Sequence, residues 1–201
     1  MTNEKILELL ELNQIEELKK QLMQEIVIKN SGNKNKQKAL LKLSQMAEKE
    51  QRDKYYKKSA DGTYKYIRPA LAGAWFEDNT TNICNGYLLY KANGIIDGLQ
   101  TVPEYCKEFL DLNKVIPTKD FAPVNKISLD VEELIKAVKQ PTKTERKIRV
   151  MENLFNAEYL YSLYNCFDED VEIFMVENAI LFKDKNAVGM LLKIREFNKS
   201  C

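Results

Sequence analysis

The chain has no histidine among its 201 residues. That removes the commonest general base, the commonest metal ligand and the one side chain that titrates near neutral pH. Cysteine is sparse, and Cys84, Cys106, Cys166 and Cys201 show no C-x-x-C spacing. Neither a zinc ligand set nor a dithiol redox motif is signalled. With no secretory leader pattern, the thiols are expected to be reduced, in a cytoplasmic protein, with Cys84 and Cys166 buried among apolar neighbours. The few glycines and prolines never assemble into a phosphate-cradling loop or a nucleophile elbow. No apolar run approaches the length of a membrane span. The net charge is only +1, so no whole-molecule field draws in nucleic acid or lipid. Glu77 with Asp78, and Asp168 with Asp170, are the available acid pairs, and each falls in an expected turn. Together these absences predict a protein that is not an enzyme and needs no cofactor or metal.

What is present is an ordinary globular composition, 44% hydrophobic and 30% charged, long enough for one core and a small appendage. Its charge is unevenly placed. Residues 1–33 hold six Glu against four Lys, whereas residues 34–68 hold eleven Lys and Arg against four acids. One basic block therefore lies between acidic flanks.

Residues 1–32 have apolar spacings of three and four (Ile6, Leu9, Leu10, then Leu18, Leu22) that predict a helical hairpin. It would pack against the main domain, dock a partner or make a homo-oligomer. A boundary at Asn30–Asn33 sets off a second unit, 33–201. A long polar helix is expected over Lys36–Lys58, with Leu40, Leu41, Leu43, Met46 and Ala47 on its apolar side. Its lysines have two readings. One is a solvated face. The other is a phosphate-tracking surface made by Lys34, Lys36, Lys38, Lys42, Lys54, Lys57 and Lys58, with Arg146, Lys147 and Arg149 as a second basic spot. No aromatic ladder interleaves these lysines, so the pattern itself does not indicate base stacking.

Downstream, Arg68–Asn79 and Ile83–Lys91 read as a hairpin of two strands, with Pro69 at a strand start and Asn85-Gly86 as a bulge or tight turn. A short helix is expected over Pro103–Leu110. Asp130 can cap an expected helix, Glu133 three residues later completes a capping-box pattern, and Pro141 stops the helix. A further helix is expected over Asn153–Cys166 with Leu160 inward. After the acidic residues 168–170, three strand-like runs close the chain: 171–176, 179–182 and 188–195.

Several of these runs fall in a familiar order. Arg68-Pro69-Ala70-Leu71-Ala72-Gly73-Ala74-Trp75-Phe76-Glu77 is followed by Cys84-Asn85-Gly86-Tyr87-Leu88-Leu89. Later come Phe155-Asn156-Ala157-Glu158-Tyr159-Leu160 and Val188-Gly189-Met190-Leu191-Leu192-Lys193-Ile194-Arg195. In order and spacing they resemble the R-P-x-L-x-G, T-D-G-x-R-L, F-N-x-x-Y-L and V-I-M-P-x-R segments of the bacterial DNA polymerase sliding-clamp family. Asn85, Leu88 and Lys193 depart from that pattern. The resemblance implies an α+β fold: one DNA-clamp-like domain of two helix-plus-antiparallel-sheet halves, here with an N-terminal helical hairpin. It implies a single-domain relative, of phage or mobile-element type, that binds double-stranded DNA or a replication partner. The competing expectation is a protein–protein interaction module with no nucleic-acid role, docking through Ile6, Leu9, Leu10, Leu18 and Leu22.

Overall fold

Alternation of side chains along seven strands decides the architecture. The computed structural model describes residues 34–116, 125–168 and 170–195. The expected hairpin over residues 1–32, its five apolar docking residues and Cys201 lie outside that range.

A polar helix α1 (Lys34–Tyr55) leads into a small hairpin, β1 (Tyr56–Lys58) with β2 (Tyr64–Tyr66). A 3-10 turn at Pro69–Leu71 precedes the meander β3 (Gly73–Glu77), β4 (Thr80–Cys84) and β5 (Leu88–Asn93). A loop with a second 3-10 turn at Leu112–Lys114 follows, then β6 (Asn125–Ile127) and helix α2 (Val131–Val138). The pair β7 (Lys147–Val150) and β8 (Asn153–Asn156) leads into α3 (Ala157–Tyr164). The meander β9 (Glu172–Val176), β10 (Ala179–Lys183) and β11 (Ala187–Leu192) closes the described chain.

The two meanders join edge to edge through β5 and β11, giving one antiparallel sheet in the order β3-β4-β5-β11-β10-β9-β6. Side chains along a strand point alternately to its two faces. On one face Ala74, Ile83, Leu88, Tyr90, Ile180, Phe182 and Leu191 pack with Leu40, Leu43 and Ala47 of α1, Leu134 of α2, and Leu160 and Leu163 of α3. On the other, Trp75, Leu89, Leu181 and Met190 pack with Leu71 and Leu112. Both faces are covered, the first by a layer of three helices and the second by the loop following β5. Each fully buried leucine here contributes on the order of 1.5–3 kcal/mol.

The fold is α+β, as expected, with three helices and one large antiparallel sheet among the described residues, but several elements differ. Helix α1 stops at Tyr55, and residues 56–58 pair as a strand with Tyr64–Tyr66. The 60–63 turn closes that hairpin, with the Gly62 amide donating to Ser59 O at 3.0 Å. Pro69 starts a 3-10 turn rather than a strand, because its fixed φ suits a helical first position. The stretch 80–93 is two strands, since Asn85 makes a tight turn: its Oδ1 accepts from the Tyr87 and Leu88 amides at 2.9 Å each. Gly86 has φ +92° there, a conformation open to glycine. No helix forms over Pro103–Leu110; one turn closes from the Cys106 amide to Pro103 O, and Phe109 is instead drawn onto Trp75, ring centroids 6.0 Å apart.

The last helix begins later than its apolar spacing suggests. Asn153–Asn156 is strand β8, whose Phe155 is opposite Ile148 and fully buried. Asn156 then caps α3, its side chain accepting from the Tyr159 amide at 3.0 Å. Asp130 caps α2 in the same way, accepting from the Glu133 amide at 3.0 Å. Replacing Asn156 by alanine is expected to cost about 1 kcal/mol, read as a lowered urea midpoint at unchanged slope.

Candidate binding groove

The C-terminal half of α1, the start of α3, the Gly86–Tyr87 turn and the segment after β11 enclose a groove of about 870 Å³. That segment is pinned by its own backbone. The amides of Leu192, Lys193 and Ile194 donate to Tyr87 O, Asn178 O and Leu154 O at 2.9, 2.8 and 2.7 Å. Lys193, Ile194 and Arg195 are thereby fixed along one wall.

The acids within the groove are largely satisfied. Glu50 accepts from Lys54 Nζ through one oxygen and from the Tyr159 hydroxyl at 2.9 Å through the other. Burial and the Glu50 charge push the Tyr159 phenol well up, so it stays a donor. The hydrogen bond to Glu50 likewise raises Lys54, whose ammonium also sits 5.2 Å from the centre of the Tyr87 ring. Glu158 is held by Arg146 at 3.4 Å, and Arg146 Nε donates to Gln140 O at 2.9 Å. The lining cations left without a carboxylate partner among the described residues are Lys49, Lys143, Lys193 and Arg195, against Asp53. The groove is thus a cationic cleft with an aromatic and aliphatic wall of Tyr87, Leu192 and Ile194.

Lys38, Lys42 and Lys49 are all exposed on α1. Their spacing puts them on the helix side opposite Leu40, Leu43 and Ala47, which face the sheet. Lys49 belongs both to this stripe and to the groove, so the two cationic surfaces are continuous.

The structure sorts the residues singled out from sequence. Lys34 is the first residue of α1. Lys36 is buried, and its ammonium lies 2.8 Å from Asp168, so it does not share the exposed stripe of Lys38 and Lys42. Lys54 and Arg146 line the groove but are each committed to an acid. Lys57 and Lys58 sit on the β1–β2 hairpin, away from the stripe. Lys147 and Arg149 point outward on β7 either side of buried Ile148, Arg149 donating to Glu152 O at 3.0 Å. In the sequence Lys193 and Arg195 stand only in the closing run 188–195 and Lys143 in a polar loop, and nothing marks them as one site, because their convergence depends on a C-terminal segment folding back beside α1.

Among the described residues no group of three or more Cys, Asp or Glu is placed to hold a metal ion, and no helix is long and apolar enough to cross a membrane.

No protein-family model and no curated protein matches the sequence. Among solved structures, the beta chain of DNA polymerase III from Streptococcus pneumoniae TIGR4 matches 67% of this chain at 13% identity, with a TM-score of 0.21. The matched region spans a quarter of that protein's length, 25%. Likeness at this level assigns neither family nor activity, and the site must be read from its own residues.

Proposed function

We propose that this chain is a non-enzymatic binding protein, built as a clamp-like domain, that grips the phosphate backbone of double-stranded DNA. The observation that carries the reading is the continuous cationic surface of the helix layer. Lys38, Lys42 and Lys49 run along α1 into a groove whose free charges are Lys143, Lys193 and Arg195. Backbone recognition needs clustered cations rather than high net charge, which reconciles the surface with a total of +1. The pairing of two three-stranded meanders under α1 and α3 supports the clamp-like half of the proposal.

The test is a salt titration of affinity for a 30-base-pair duplex of mixed sequence. Six phosphate contacts give a log–log slope of about −5. A slope near zero, or no binding at low salt, overturns the reading.

A further inference from the structure

Half of the ten tyrosines gather at one corner of the molecule, which no linear spacing announces. The β1–β2 register places Tyr56 opposite Tyr66 and Lys58 opposite Tyr64. The Tyr56 ring lies 4.9 Å from that of Tyr66 and 5.6 Å from that of Tyr64, centre to centre. Tyr105 joins them from the loop after β5, its hydroxyl oxygen accepting from the Tyr66 amide at 2.7 Å. Tyr55 completes the group with the Arg68 guanidinium 4.9 Å from its ring centre. Tyr56, Tyr64 and Tyr105 remain 42%, 58% and 43% exposed, although stacked phenols gain by leaving water.

The charge along the hairpin, residues 56–68, is one-sided. Lys57, Lys58, Lys65 and Arg68 stand against Asp61, and Asp61 is consumed locally by Lys65 at 2.8 Å and by Thr63. Glu48 on the neighbouring helix accepts from the Tyr66 hydroxyl and pairs with Arg52. Lys57 and Lys65 face each other across the strands on the side opposite the tyrosines, where Asp61 already offsets Lys65, so Lys58 is the hairpin lysine on the tyrosine side. A two-stranded hairpin has little stability of its own. Tyr66, half-buried, ties it to α1 while Tyr56 and Tyr64 are left facing water.

From this we propose that the β1–β2 hairpin with Tyr105 is a stacking platform for single-stranded nucleic acid. Bases would lie on Tyr56, Tyr64 and Tyr105, with a phosphate on Lys58, which the register puts on the same face as Tyr56 and Tyr64. Exposed rings flanked by cations are the combination that binds single strands without sequence preference. The platform uses residues separate from the α1 stripe and does not depend on the duplex reading.

The test is fluorescence anisotropy of labelled dT20 with the full chain at low salt. Tyr56→Ala and Tyr64→Ala are each expected to weaken binding about ten-fold, and Tyr64→Phe to retain it, because the ring and not the hydroxyl stacks. An abasic 20-mer should bind more weakly and ignore Tyr64→Ala. Both rings are half exposed, so the variants should keep the parent's urea midpoint. Failure of dT20 to bind overturns the proposal, as does equal loss of dT20 and abasic strand in Tyr64→Ala. The variant K38E/K42E/K49E separates the two sites: retained dT20 binding supports an independent platform, and its loss assigns single strands to α1 instead.

Discussion

Gly73→Ala is expected to lower the unfolding free energy by about 4 kcal/mol, combining the cost of overpacking with that of a strained backbone. The residue opens β3 at φ +152°. A Cβ there would lie 2.6 Å from Thr101 C, 2.7 Å from Gln100 O and 2.8 Å from Thr101 O. All three are main-chain atoms, so no side chain can swing away. The same approach carries the bonds that hold the covering loop on: the Ala74 amide donates to Gln100 O at 2.8 Å, and the Val102 amide to Ala74 O at 2.9 Å. Relief of the clash therefore lifts the loop that shields the outer sheet face. Trp75 beneath it is the chain's one tryptophan and is 2% exposed, so its emission should shift to the red even in the folded variant. Urea unfolding followed by that emission measures both effects. Gly189→Ala is the informative contrast. Its Cβ would meet the side chains of Leu163 and Phe167 at 2.9 Å, which can adjust, and the expected loss is about 1–2 kcal/mol. Equal losses at the two glycines would show that main-chain contact is not the deciding factor.

How much of this was legible before folding depended on the range of the interaction. Asp130 and Glu133 signal their helix because the cap closes over three residues, and the closing meander is visible as three short apolar runs separated by turns. Asn85-Gly86 announces a turn, but not that it splits the run from Thr80 to Asn93 into two strands. Residues 153–156 show where local pattern fails. Leu154-Phe155 fits a helix start or a strand equally well, since a short apolar run has no period to read. Pairing with Lys147–Val150 decides it. The binding surface was half visible. The α1 lysines are local, so their density was plain. Which of them are free was not: Lys36 meets Asp168 across 132 residues, and nothing near Lys36 foretells that partner. The tyrosine corner is the extreme case, because its rings come from residues 55–66 and from 105, brought together by register and one hydrogen bond.

Reversing the three charges of the α1 stripe, K38E/K42E/K49E, is expected to produce the largest change in binding. Losing three phosphate contacts reduces the salt slope by roughly 2.7, and repulsion by three new carboxylates adds to that, so duplex affinity at low salt should fall by more than about a hundred-fold. Stability should hardly move. All three side chains are exposed, and surface changes of this kind usually stay within about 0.5 kcal/mol. Lys38 and Lys42 are already a like-charge pair one turn apart, and reversing both preserves that repulsion. Only Lys49, one turn before Asp53 in the same helix, exchanges a favourable spacing for an unfavourable one, worth about 0.2–0.5 kcal/mol. The neutral triple variant to Gln divides the effect further: it removes the contacts without adding repulsion, so its slope should match that of the Glu variant while its affinity lies between that variant and the parent. Electrophoretic mobility at three salt concentrations, with urea midpoints for all three proteins, distinguishes a lost binding face from a damaged fold. Unchanged duplex affinity in the Glu variant would remove α1 from the interface and leave the cationic stripe as a solvated helix face.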